Sequence, residues 1–123
     1  MSHDALAAQL HALREQVAGI TDTLIAAVDG LLIVADAADT VDIESVSALA
    51  AADLGLARRT ATAIGQGTFR QTVVYNSGGC MAVYAIGRSA LMVVLGDEGL
   101  DIGLLQLESQ PVIECIGSIL AAS

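Results

Sequence analysis

At 123 residues, 54% of them hydrophobic, the chain is long enough for one core and too short for two, so residues 1–123 are expected to form a single domain. Its net charge of −9, from fourteen acidic residues against five arginines and no lysine, repels phosphate backbones, and one Phe, two Tyr and no Trp leave little to stack on bases, which argues against nucleic acid as a partner. No apolar run approaches the roughly 18–20 residues of a membrane-spanning helix, the N-terminus lacks the pattern of a secretory signal, and two cysteines are too few for a disulfide framework; the expectation is a cytoplasmic protein without direct membrane insertion.

Leu6, Leu10, Leu13, Val17 and Ile20 recur at spacings of three and four, which predicts an amphipathic helix over Asp4 to Ala18 ending near Gly19. His3 and His11 have no third ligand type nearby and read as solvent-facing helix residues rather than metal ligands. From Thr21 the period shortens. TDTLIAAV and LLIVA read as strands joined by a tight Asp29-Gly30 turn with both positions at positive φ. Asp36 to Thr40 is a polar connector with no glycine-lysine phosphate loop.

The stretch Asp42 to Ile64 carries two apolar rows where a surface helix ordinarily has one. Ile43, Val46, Ala50, Leu54, Ala57, Ala61 and Ile64 form the first, able to cover a sheet; Ser45, Leu49, Ala52, Leu56, Arg59 and Ala63 form the second. An apolar row left in water marks a partner surface, although an Ala-rich helix buried on two sides within its own domain would give the same pattern. Asp42 suits the N-cap, Arg58 and Arg59 lie toward the electronegative end, and Gly65-Gln66-Gly67 stops the helix.

TFRQTVVYN, CMAVYAIG and SALMVVLG follow as an antiparallel meander, turning at Asn76-Ser77-Gly78-Gly79 and at a two-residue Gly87-Arg88 loop. Cys80 to Ile86, Ala90 to Leu95, Leu24 to Val28 and Leu31 to Ala35 are apolar at alternate and intervening positions alike, so the sheet needs helices on both faces. Phe69 to Tyr75 is the exception, with Phe69, Gln71, Val73 and Tyr75 on one side and Arg70, Thr72, Val74 and Asn76 on the other. A strand this mixed belongs at an edge, where it either pairs with a second copy or uses Arg70 and Gln71 to guard against pairing. Leu100 to Ala121 carries Leu105, Val112, Ile116 and Ile119 at helical spacing, with Leu104 and Leu107 beside them; Pro111 either bends this helix or opens a second one.

Catalytic patterns are missing. No Ser-His-Asp order, metal-ligand pair, Cys-His combination or phosphate loop stands in a context that would give it chemistry, and no cofactor is expected. Cys80 and Cys115, in apolar segments, read as buried and inert.

The element order, the Val28-Asp29-Gly30-Leu31 hairpin, the stretch from Ser47 to Phe69, the Val83 to Gly87 strand and Leu91 to Leu95 together resemble the roadblock (dynein light-chain type) domain family across nearly the whole chain. The resemblance implies an α+β fold of profilin-like architecture: a five-stranded antiparallel sheet in the order α-β-β-α-β-β-β-α, sandwiched between the central helix and the two terminal helices. It also implies a non-catalytic homodimer that pairs edge strands and central helices, serving as scaffold or regulator for a Ras-like small GTPase. The alanine-rich, lysine-free sequence is similar to members encoded in actinobacteria beside a GTPase and a sensor kinase, through which a membrane would be reached only indirectly. On this reading Ser45, Leu49, Ala52, Leu56, Phe69, Gln71, Val73 and Tyr75 form the dimer interface, and Asp53, Arg58 and Arg59 a partner-binding patch. A small-ligand sensor is the alternative, and it calls for a pocket with converging polar groups.

Overall fold

The computed structural model describes residues 3–38 and 40–122. Met1 and Ser2 of the stretch read for a signal, Asp39 of the expected connector, and Ser123 lie outside the described residues. The chain runs α1 (His3–Gln16), β1 (Ile20–Ala27), β2 (Leu32–Ala37), α2 (Ile43–Ala63), β3 (Gln71–Asn76), β4 (Gly79–Ile86), β5 (Ala90–Asp97) and α3 (Ile102–Ala121). This is the α+β order anticipated, and the five strands form one antiparallel sheet in the order β2-β1-β5-β4-β3.

Alternation of side chains along β1, β5 and β4 divides the core in two. Ile25, Met92, Val94, Ala82 and Tyr84 face α1 and α3, where they meet Leu6, Leu10, Leu13, Leu105, Val112 and Ile116. Leu24, Ala26, Leu91, Val93 and Val83 face the opposite way, under Ala50 and Leu54 of α2. The expectation of helices on both faces therefore holds for the three inner strands. It fails at the end of β2, the second edge, where Leu31 is 68% exposed and Val28 and Leu32 are exposed with it.

The turns differ from the sequence expectation. Asp29 does not take positive φ; the Ala27 carbonyl accepts from Gly30 N–H at 2.9 Å, and only Gly30, at φ 94°, is left-handed. This is a three-residue loop closed by a glycine bulge rather than a two-residue primed turn. The β4–β5 connection likewise uses three residues, Gly87, Arg88 and Ser89, and the Ser89 carbonyl accepts from Val28 N–H at 3.0 Å, tying the two hairpin tips together. At the other end Gly19, at φ 96°, lets α1 turn into β1 against the start of α3; a Cβ there would come within 2.7 Å of Leu100 Cα.

Helix α2 is capped at both ends. Asp42 Oδ1 accepts from Ser45 N–H at 3.2 Å and Oδ2 from the Ser45 hydroxyl at 2.7 Å. At the far end Gly65, at φ 68°, allows Gln66 N–H to reach the Ala61 carbonyl and Gly65 N–H the Thr62 carbonyl, a Schellman closure. In α3 the choice left open by Pro111 resolves to one helix that runs through it, with Pro111 exposed. The carbonyl that loses a donor there is that of Leu107, itself 69% exposed, so water is at hand to satisfy it. Leu107 accordingly lies outside the core. Asp22 and Thr23 are buried polar residues of β1: Asp22 accepts from Ala38 N–H and the Thr21 hydroxyl, and the Thr23 hydroxyl donates to the Asp36 carbonyl, which pins the outer end of β2.

Two outcomes test this account. Leu54→Ala, which empties the centre of the α2 face, should cost about 2–5 kcal/mol in denaturant unfolding with an unchanged m value. The cap bonds hold the Asp42 carboxyl below its ordinary 3.8. Its stabilisation is therefore present above that pH and lost as pH falls through the lowered native value. Asp42→Ala should melt below the parent at pH 7, and thermal scans at successively lower pH should show the gap closing below 3.8.

Candidate functional site

The two rows of α2 separate cleanly. Ala50 and Leu54 are buried against the sheet, with Ile43, Val46, Ala57 and Ala61 half-buried beside them; Ile64, past the helix end, is exposed. On the outward side Leu49 is 66% exposed and Leu56 65%, with Ser45, Ala52, Arg59 and Ala63 exposed along the same row. Seven residues put the two leucines two turns and about 10 Å apart, with the small Ala52 between them on the same row. The row is thus largely apolar, low in relief and uncovered by any described residue.

Asp53 lies one turn from each leucine. Its Oδ2 is withdrawn from solvent without a hydrogen-bond partner among the described residues, a costly state for a carboxylate oxygen. The two arginines diverge. Arg58 reaches over the sheet to the β4–β5 turn, donating to the Gly87 carbonyl at 3.0 Å and the Arg88 carbonyl at 3.2 Å. It therefore answers turn carbonyls rather than the end of its own helix. Arg59 projects outward beside the leucine row, with no hydrogen bond to any described residue.

The open edge of the sheet is β3. Ala85 N–H donates to the Arg70 carbonyl at 2.9 Å, and Gln71 stands opposite Tyr84 in the register. Bonded and non-bonded pairs alternate in an antiparallel ladder, so Arg70, Thr72, Val74 and Asn76 turn their backbone groups to β4. Gln71, Val73 and Tyr75 turn theirs outward, away from every described strand. Their side chains share the α1/α3 face, where Val73 packs on the core and Tyr75 is 67% exposed. Phe69 does not belong with them: it precedes the strand, escapes its alternation and packs into the α2 cluster.

An open groove of about 580 Å³ lies between the start of β3 and α3, lined among others by Phe69, Gln71, Tyr84, Gln106, Gln110 and Ile113. The Tyr84 hydroxyl donates to Gln106 Oε1 at 3.1 Å. Burial pushes this phenol up, and a hydrogen bond with Ser109 draws it partly back.

One polar feature is not legible in the sequence, the set of ionic contacts around His11. His11 is exposed yet engaged, with Nδ1 3.2 Å from Asp36 and Nε2 3.2 Å from Glu15, and Arg14 lies 3.5 Å from the same Asp36 carboxylate. It latches α1 to β2 rather than simply facing solvent. The two nitrogens point to different carboxylates, and no three His, Cys, Asp or Glu side chains among the described residues are grouped to hold a metal ion. Cys80 is buried, and burial pushes its thiol up, away from the reactive thiolate. Cys115 is half-buried, less enclosed than expected. No described helix is long and apolar enough to cross a membrane.

The divergence of the arginines sets a testable asymmetry. Arg58→Ala should destabilise the fold by about 1–2 kcal/mol through the loss of two charge-assisted bonds. Arg59→Ala should leave the melting temperature within a degree or so, because a surface change of this kind has no stability mechanism; calorimetric melting of the two variants side by side distinguishes them.

Comparison with known proteins fits this geometry. The family model described as the Roadblock/LC7 domain matches residues 6–96. An uncharacterised protein of Methanocaldococcus jannaschii, MJ1340, is 35% identical over 98 residues, spanning 80% of this chain and 85% of the relative. The crystal structure of a Roadblock/LC7 domain from Streptomyces avermitilis superimposes with a TM-score of 0.86 at 23% identity, covering 92% of this chain and 95% of that one. MglB of Myxococcus xanthus superimposes with a TM-score of 0.91 at 18% identity, covering 100% of both chains. The family match, running from the first core leucine of α1 through β5, and the shared layered sheet place this chain in the Roadblock/LC7 domain family.

Proposed function

We propose that the chain is a non-enzymatic homodimeric scaffold or regulator, and that its dimer docks a Ras-like small GTPase. The carrying observation is the outward row of α2, where Leu49 and Leu56 stand two-thirds exposed on a helix whose opposite side packs on the sheet through Ala50 and Leu54. A contiguous apolar row of this kind is an interaction surface by default. The outward backbone groups of Gln71, Val73 and Tyr75 supply the second half of such an interface, because edge strands satisfy themselves by pairing. Ser45 and Ala52 keep the row low enough for a second helix to approach closely. Phe69 enters this interface only indirectly, by seating the α2–β3 connection from beneath.

Docking of a GTPase rests on the family resemblance and on the unengaged Arg59 at the margin of the row. A planar guanidinium with free donors suits the carboxylates of a partner. Arg58 is already committed to the β4–β5 turn, which assigns it to holding the platform, while Asp53 lines the row beside it.

The dimer should bury on the order of 1,200 Å² or more and persist at micromolar concentration in light scattering. Leu56→Glu should convert it to a folded monomer, since the two-fold axis places two charges in one apolar seam. A parent that scatters as a monomer would remove the reading. For docking, titration calorimetry with the cognate GTPase should show Arg59→Ala binding more weakly with the dimer intact; unchanged affinity would move the docking face elsewhere.

A further inference from the structure

We infer that the groove beside β3 is a socket for Tyr75 of a second copy of this chain, so that each subunit of the dimer completes the other's α1/α3 face. This rests on the homodimer proposed above and specifies its register. A second β3 entering antiparallel about a two-fold axis can be centred on Thr72, Val73 or Val74 and still meet outward backbone groups with outward ones. Centring on Val73 pairs Gln71 with the partner's Tyr75, Val73 with the partner's Val73, and Tyr75 with the partner's Gln71, which engages all three outward residues of each strand. Centring on Thr72 puts Tyr75 against the partner's Phe69, before the strand begins, and centring on Val74 puts Gln71 against the partner's Ser77, in the β3–β4 turn. Either leaves one outward residue of each strand without a strand partner, and unpaired backbone groups at a covered interface are costly.

Side chains of directly paired residues lie on the same face, with Cα atoms about 5.5 Å apart in a hydrogen-bonded pair. Tyr75 of the partner subunit would therefore stand beside Gln71 on the α1/α3 face. That is the face on which the groove opens, with Gln71 on its wall and Tyr84, Gln106, Gln110 and Ile113 deeper in. The chemistry of the occupant and the site agree. Tyr75 carries a large apolar ring and one hydroxyl, and is 67% exposed in its own subunit. The groove offers Ile113 to the ring and the amides of Gln106 and Gln110 to the hydroxyl.

The test mixes Gln71→Cys with Tyr75→Cys protein, both carrying Cys80→Ala because Cys80 stands opposite Tyr75 in the β3–β4 register and would capture the new thiol within one chain, under mild oxidation and maps the crosslink by mass spectrometry. The inference expects a 71–75 disulfide between subunits in the mixture, none in either variant alone, and a 73–73 disulfide in Val73→Cys. In a dimer of mixed isotope labels it further expects intermolecular nuclear Overhauser effects between the Tyr75 ring and the Gln106 and Gln110 side-chain amides. Tyr75→Ala should weaken self-association at least tenfold by analytical ultracentrifugation. A dimer in which Tyr75→Cys links instead to Val73→Cys, or whose Gln106 and Gln110 amides see no partner ring, overturns the socket while leaving the homodimer standing. Sedimentation of the unaltered protein as a monomer removes both.

Discussion

Everything in this molecule follows from a sheet whose inner strands are apolar on both faces. Such strands cannot form a half-wet antiparallel sheet, because one face would leave Leu24, Val83, Leu91 and Val93 in water, and the other Ile25, Tyr84, Met92 and Val94. Three helices cover the two faces unequally. The α1/α3 face receives two helices and a large cluster, whereas the α2 face receives one helix that must span it alone. A lone helix covering a sheet keeps its far side in solvent, and here that side is apolar. The proposed interaction surface is thus a consequence of how the core is closed.

The polar devices serve the same layering. Asp42 and Gly65 set where α2 begins and ends, and hence which residues reach the sheet. Arg58 then ties the latter half of α2 to the β4–β5 turn, which is in turn joined to the β1–β2 turn through Ser89 and Val28. At the opposite margin His11, Arg14 and Asp36 hold α1 against β2, and Asp22 fastens the end of that strand. Each contact is modest where it is exposed. Together they fix the helices to a sheet whose apolar contacts are non-directional and would not orient them.

The two edges of the sheet differ in a way that bears on assembly. β2 is flanked by α1 through the Asp36 contacts, and its exposed residues cluster at its hairpin end. Among the described residues β3 has no such cover on its outer side: its outward backbone groups alternate with inward-bonded ones, and a groove opens beside it. Arg70 and Gln71, which on sequence alone could guard this edge, do not block it by charge pairing; Gln71 instead forms a groove wall.

What the sequence by itself determined was periodicity and its limits. The heptad-like leucines of α1, the double row of α2, the unbroken apolar strands and the mixed Phe69 to Tyr75 stretch are all one-dimensional patterns, and burial follows them because period and geometry are the same thing. Phe69 shows where that stops: alternation assigned it to the wrong face because the strand begins two residues later, at Gln71. The turns escape a local reading for a related reason: their tips meet across the sheet, where Val28 N–H donates to the Ser89 carbonyl. Only the tertiary structure separated Arg58 from Arg59, brought His11 between two carboxylates, buried Asp22 and opened the groove between β3 and α3. These depend on side chains meeting from elements far apart in the chain, and no local spacing encodes a direction in space.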